Sequence, residues 1–232
     1  MQPLIPNMVY HIFNHANGFE NTFRSDNNFR FFLEKYRHHI SPVAETYAYC
    51  LMPNHFHIVV RIRQREIIEK IIEVRSSSNN GSNFAKVQNF GKVVDDEVVN
   101  NEVTNEKVID DKTIELFLSK QFANLFSSYT QSFNKVFNRR GSLFLKAFKR
   151  IPITNKQYFL NSIVYTHRNP VHHGFCTHFS EWQYSSYNEI IDERSDIVEF
   201  EKLLKMFDDK NNFIDLHENK LLDLPFANDN DI

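Results

Sequence analysis

The chain has 232 residues, 41% hydrophobic and 24% charged, with 23 phenylalanines and a formal net charge of −2. That is the composition of a globular protein with ample core material, and with only Cys50 and Cys176, far apart, it excludes a disulfide-built scaffold and makes a reducing cytoplasm the expected setting. The opening MQPLIPNMVYHIF has no basic region followed by an apolar run, and no stretch approaches the roughly 18 apolar residues of a membrane span, so neither a signal peptide nor a membrane partner is expected.

In chain order, MVYHIF (8–13) predicts a first strand, ended by Asn14 to Gly18. Ser25 is placed to cap a helix through FRFFLEKYRHH, with Phe29, Phe32, Leu33 and Tyr36 on one face. ETYAYCLM and HFHIVVRIR read as second and third strands, joined at Pro53-Asn54 as an antiparallel hairpin. From Ser76 to Lys112 both periods fail, which predicts a flexible polar insertion. A helix resumes near Thr113 and runs to Phe137, with apolar residues at three- and four-residue steps. LFLKAFKRIPI offers a fourth strand, and Thr154 a cap for NKQYFLNSIVYTHRN, a helix that Pro170 should stop. After Tyr187 the chain turns acidic, with a helix expected near Ile197 to Phe207 and a loose tail behind it. This order predicts an α+β sandwich with helices packed on an antiparallel sheet. The division expected is a catalytic-type domain over 1–187, carrying the insertion at 76–112, and an acidic extension over 188–232.

Charge is segregated along the chain. Residues 95–112 carry seven acids and two bases, and residues 188–232 thirteen acids and five bases, which leaves nine acids and twenty bases elsewhere. Lys135 to Arg150 holds six Lys/Arg and no acid. Such a run is as often a solvated face as a binding site, yet a basic body with acidic appendages suits a polyanion partner.

Two constellations carry possible chemistry. In His55-Phe56-His57 strand alternation points both imidazoles to one face, an arrangement that binds divalent metals but also occurs on ordinary polar strand faces. Tyr165 and Asn169, four apart on a predicted helix, share a face, and a core tyrosine before a helix-ending Asn-Pro would look the same. Neither pair decides the matter alone.

Together with their neighbours they do. LMPNHFHIVVRI resembles the His-hydrophobe-His strand of the single-tyrosine transposases of the IS200/IS605 type. RRGSLFLKAFKR, YFLNSIVYTHRNPVHHGF and EWQYSSY come after it in order, and the set resembles the REP-associated tyrosine transposase branch over roughly residues 8–187. The resemblance implies a ferredoxin-like fold, metal binding by His55 and His57, Tyr165 as nucleophile, and Asn169 as a third ligand. The chain departs from the family pattern in the insertion, in Thr166 where isoleucine is usual, and in the acidic tail.

The implied chemistry needs an activated electrophile, because a phenol of pKa ~10 is a weak nucleophile. A hard cation, Mg²⁺ or Mn²⁺, would polarise the phosphate, and Tyr165 would form a 5′-phosphotyrosine link and release a 3′-hydroxyl. His167, two residues from Tyr165, should face elsewhere, and His172 and His173 are expected in a loop rather than as ligands. The partner implied is single-stranded DNA with a hairpin. Arg139, Arg140, Lys146, Lys149 and Arg150 are the first candidates for phosphate contacts, with Arg61, Arg63 and Arg65 next if their strand lasts. Phe144 and Phe148 suit base stacking or, more simply, the core. Other readings are a domesticated hairpin-binding protein without activity and a hydrolase that uses water as nucleophile. Monomer and homodimer are both open.

Overall fold

The computed structural model of the chain describes residues 2–18, 20–78, 109–145 and 147–219. In order they form β1 (Val9–His15), α1 (Asp26–His39), β2 (Ala44–Met52), β3 (His55–Ile62), α2 (Arg65–Ser78), α3 (Asp111–Val136), β4 (Lys149–Ile153), α4 (Lys156–His172), α5 (Tyr187–Ile191), α6 (Phe200–Met206) and α7 (Lys210–Asn219). The strands make one antiparallel sheet in the order β2-β3-β1-β4. This is the split β-α-β arrangement of a ferredoxin-like α+β fold, as the motifs imply.

Alternation sorts the side chains of the sheet into two layers. Tyr10, Ile12, Phe56, Ile58 and Val60 point to one face, where α1 and α3 lay their aromatic stripes. Phe32 sits 5.4 Å from Phe56 and edge-on to Tyr129 at 5.3 Å, ring to ring. The buried hydroxyls of that layer are satisfied: Tyr129 donates to the Thr22 carbonyl at 2.6 Å, and Tyr36 shares a 2.7 Å bond with Thr46. The other face carries the row Cys50, His57, Phe13, Lys149 across all four strands, and α4 lies against β2 and β3 there.

Several expectations need correction. Residues 65–78 form α2, which the strand-and-loop reading left unassigned although Ile68, Ile71 and Ile72 turn one side of it inward. Ser76 to Ser78 end that helix and Asp111–Lys112 begin α3, while 79–108, the bulk of the expected insertion, lie outside the described residues. Ser25 stands at the α1 N-cap but makes no side-chain cap bond, whereas Asp110 caps α3 through Thr113 N. Asn155, not Thr154, caps α4, accepting from the Tyr158 N–H at 2.8 Å.

Pro170 does not stop α4, which runs on to His172 and ends at Gly174, whose φ of +69° suits a residue without Cβ. Pro170 lies in the last turn, two residues before the helix ends, where the missing N–H and the crowding of its ring against the preceding turn interrupt little of the helix. The fourth strand is shorter than expected: among the described residues before Lys149, a β-bridge joins Phe144 to Ala16.

The tail is not loose over 210–219. α7 buries Phe213 and His217 against Phe207, Tyr187 and His167, while 220–232 lie outside the described residues. Upstream, the EWQYSSY segment and the chain near Glu199 close the outer edge of β2. Trp182 Nε1 donates to Leu51 O at 2.9 Å, Leu51 N to Tyr184 O at 2.9 Å, and Glu199 N to Thr46 O at 2.9 Å. An exposed strand edge is a template for unwanted pairing, and these bonds remove it. Among the described residues no helix is long and apolar enough to cross a membrane.

Candidate active site

β3 carries His55 and His57 on its α4-facing side, both about 1% exposed. α4 brings down Tyr165 and Asn169, one turn apart on the stripe that faces them, at 5% and 0% exposure. The two pairs meet. Asn169 Oδ1 lies 3.1 Å from His55 Nε2, and the Tyr165 ring stands edge-on to His57 with centroids 5.5 Å apart. Thr166 is buried with its hydroxyl donating to Ser162 O at 2.8 Å, so the polar group costs little.

Antiparallel pairing adds residues that the strand pattern alone did not single out. His15 lies opposite His55 and Phe13 opposite His57 on β1, with His11 one pair further on the same face. The His15 and His55 rings stack at 4.4 Å, and His11 Nε2 lies 2.9 Å from His57 Nδ1. The signal was present in the sequence, since 11, 13 and 15 alternate like 55 and 57. It acquires meaning only once β1 is known to neighbour β3. His172 and His173, expected in a loop, are the last residue and the C-cap of α4, and the His173 ring reaches 4.7 Å from His55.

Burial decides the charge state of this cluster. Desolvation, with lesser repulsion from His15, takes His55 down to about 3, and desolvation alone takes His11 to about 3. His57 is pushed well below the usual imidazole range by burial first and by neighbouring His11 next. At neutral pH these rings are uncharged, the form in which imidazole ligates a metal.

The donor set fits a divalent cation. The Asn54 side-chain oxygen, 2.8 Å away, takes the proton of His55 Nδ1, so a neutral His55 presents a bare lone pair at Nε2. That lone pair faces another, on Asn169 Oδ1, at 3.1 Å. Two acceptors at that separation repel unless a proton, a rotated amide or a cation stands between them. His57 Nε2 is buried and has no hydrogen-bond partner among the described residues, and neither has Asn169 Nδ2. No three His, Cys, Asp or Glu side chains converge as a metal cage among the described residues, so a cation here would rest on two imidazoles and an amide oxygen.

The basic residues separate. Lys149 lies on the histidine face, exposed, at the β4 end of the row, with Nζ 5.9 Å from the Phe13 ring centre. Arg61 also falls on that face, half-buried near the end of β3, and Arg140 is exposed. Arg150 points to the opposite face, donating to Ser119 Oγ at 3.1 Å and lying over Phe148. β3 ends at Ile62, so the face does not extend to Arg63 or Arg65. Arg63 donates to Ser41 O at 3.1 and 3.2 Å, and Arg65 binds Glu69 and Asp111. Arg139 is bound to Glu20, to Asn134 at 2.9 Å and to Ser142 O at 2.8 Å, and so holds its own turn. Lys146 lies outside the described residues. Phe144 and Phe148 are core.

His167 faces away from Tyr165, as the helical spacing predicts. Its Nδ1 lies 2.9 Å from His217 Nε2 and its Nε2 lies 2.8 Å from Ser186 Oγ. His217 Nδ1 donates to Phe213 O at 2.7 Å, which orients the chain: His167 Nδ1 donates to His217, and Ser186 donates to His167.

Comparison with protein-family models and with curated proteins finds no match. Among solved structures, the chain is similar to a REP-associated tyrosine transposase bound to a REP hairpin. The likeness covers 83% of this chain and 84% of that one, with a TM-score of 0.52 and 13% sequence identity. At that identity the likeness shows a shared fold.

Proposed function

We propose that the protein is a metal-dependent tyrosine transposase, which cleaves and rejoins single-stranded DNA beside a hairpin through a 5′-phosphotyrosine link. The observation that carries this reading is the convergence of four residues from two elements. Asn169 Oδ1 stands 3.1 Å from His55 Nε2, Tyr165 packs on His57, and His57 Nε2 is buried with no hydrogen-bond partner among the described residues. The shared fold with a hairpin-bound transposase is consistent with it.

In this reading His55, His57 and Asn169 would hold Mg²⁺ or Mn²⁺, which would supply polarisation of a phosphate oxygen. Tyr165 supplies the nucleophile. Its phenolic oxygen bonds to phosphorus as the bond to the 3′-oxygen breaks, and the net proton passes from the phenol to the departing 3′-hydroxyl. A 3′-hydroxyl attacking the phosphotyrosine reverses the exchange and frees the phenol, so one phosphoester replaces another without ATP. α4 holds Tyr165 and Asn169 at fixed spacing, which pre-sets the attacking oxygen relative to the phosphate. Lys149 and Arg61 lie on the same sheet face and Arg140 is exposed, so these three are the phosphate contacts we favour, whereas Arg63, Arg139 and Arg150 serve the fold.

The test is a denaturing gel of the protein incubated with Mn²⁺ and a labelled single strand carrying hairpins from the flanks of its own gene. The wild type should give a slow-migrating adduct that is lost in Tyr165→Phe and His57→Ala. Hairpin binding without any adduct would favour a non-catalytic binding protein. Cleavage that survives Tyr165→Phe would move the nucleophile to water and overturn the proposal.

A further inference from the structure

His57 needs more than position to act as a ligand. A neutral imidazole has one N–H and one lone pair, and which nitrogen carries the proton is set by what the other ring edge meets. His55 has its Nδ1 edge fixed by the Asn54 side-chain oxygen at 2.8 Å. His57 meets no such oxygen. Its Nδ1 meets instead the Nε2 of His11, at 2.9 Å, on the next strand.

We infer that His11 is a positioning residue, whose Nε2 accepts the Nδ1–H of His57 and so holds the His57 tautomer that turns its Nε2 lone pair to the cation. The inference rests on the metal reading above. Three observations carry it. Both rings are about 1% exposed, so water is not an alternative partner for that edge. The rings lie 5.0 Å apart and within 21° of parallel, so the contact is made near the plane of both imidazoles. The remaining nitrogen of His57, Nε2, is buried with no partner among the described residues. In the opposite tautomer the Nε2 of His57 would carry the proton and offer a cation no lone pair. In the tautomer we assign it buries a lone pair, which a cation satisfies. His11 and Asn54 thus do the same work for the two histidines from two different elements. Outer partners of this kind fix ring orientation and ligand basicity at metal sites.

The test begins without metal. In a long-range ¹H–¹⁵N spectrum of the ¹⁵N-histidine protein, His57, assigned by its loss in His57→Gln, should show a protonated Nδ1 and a bare Nε2. A protonated Nε2 overturns the inference. Titration with Mn²⁺ alone comes next. His11→Leu should weaken binding by roughly 10–100-fold. His11→Gln, whose amide oxygen reaches where Nε2 stood, should keep wild-type affinity. Equal loss in both variants, or none in His11→Leu, overturns the role. Thermal melts and metal-free hairpin binding should be unchanged in both, which separates positioning from folding. A wild type that binds no Mn²⁺ would instead defeat the metal reading itself, an outcome distinct from a wild type that binds while His11→Leu binds equally well.

Discussion

The two faces of the one sheet are built on opposite terms. Beneath α1 and α3 lies an aromatic layer in which Phe32, Phe56, Tyr129 and Phe144 interlock and the buried tyrosine hydroxyls all have partners. Between α4 and the same strands lie the buried His11, His55, His57 and Asn169, with His55 Nε2 facing Asn169 Oδ1 and with His57 Nε2 and Asn169 Nδ2 lacking a hydrogen-bond partner among the described residues. The first face is what a chain does to gain stability, since each buried phenylalanine contributes on the order of 1.5–3 kcal/mol. The second forgoes that gain at several positions. Polar groups left short of partners in a well-folded domain call for a physical reason, and in the function proposed above a bound cation supplies it.

Adjacent residues give the sharpest way to break this comparison. Phe56 and His57 are neighbours that point to opposite faces. Tyr165→Phe and His57→Ala should abolish the covalent adduct, a loss of three orders of magnitude or more (~10³) by the role of a nucleophile and its ligand. Tyr165→Phe should leave the melting temperature nearly unchanged. Phe56→Ala should do the reverse, costing about 3–5 kcal/mol in denaturant unfolding with no change in the adduct formed per folded molecule. If His57→Ala destabilised as much as Phe56→Ala, the α4 face would have to be counted as structural.

Acid gives a second, smaller effect. His217, packed between Phe213, Tyr187 and His167, is held to about 3 by burial. Its folded pKa is below the unfolded value near ~6.5, so the unfolded chain binds the extra proton. The stability due to neutral His217 is therefore complete above that value and is lost as pH falls from there toward 3. The rate is about 1.4 kcal/mol per pH unit for one such group. Urea unfolding from pH 7 down should show it, and His217→Phe should flatten the slope by one proton. An unchanged slope would mean that α7 opens before His217 titrates.

The mildest contrast lies among the bases. Lys149→Ala should reduce the slope of log affinity against log salt for hairpin DNA by about one, with no change in stability. Arg139→Ala should leave that slope alone and lower stability, since its guanidinium ties Glu20, Asn134 and Ser142 together. The opposite pattern would return Arg139 to the DNA surface.

Much of the fold was legible, and the four residues proposed for the candidate site could be read as two separate pairs. α1, α3 and α4 announce themselves by apolar spacing, and β2 and β3 by alternation about Pro53-Asn54. α2 escaped because its isoleucines suit a strand as well as a helix, and its Ser-rich end merged with the polar stretch behind it. α7 escaped because its ten residues are mostly polar and its fully buried stripe, Phe213 and His217, is short. Arg63, Arg139 and Arg150 read as phosphate ligands because a positive charge in sequence does not reveal the carbonyls and carboxylates that engage it.

What the sequence determined by itself was local: a period of two that sets His55 and His57 side by side, and a step of four that sets Tyr165 above Asn169. These relations hold within one element and need no neighbour. Only the tertiary structure decided that the helix stripe lies on that strand face, that β1 slots beside β3 so that His11 meets His57, and that the acidic end closes β2. Those meetings join residues tens to more than a hundred positions apart, and they are set by which faces can be buried together rather than by any spacing along the chain.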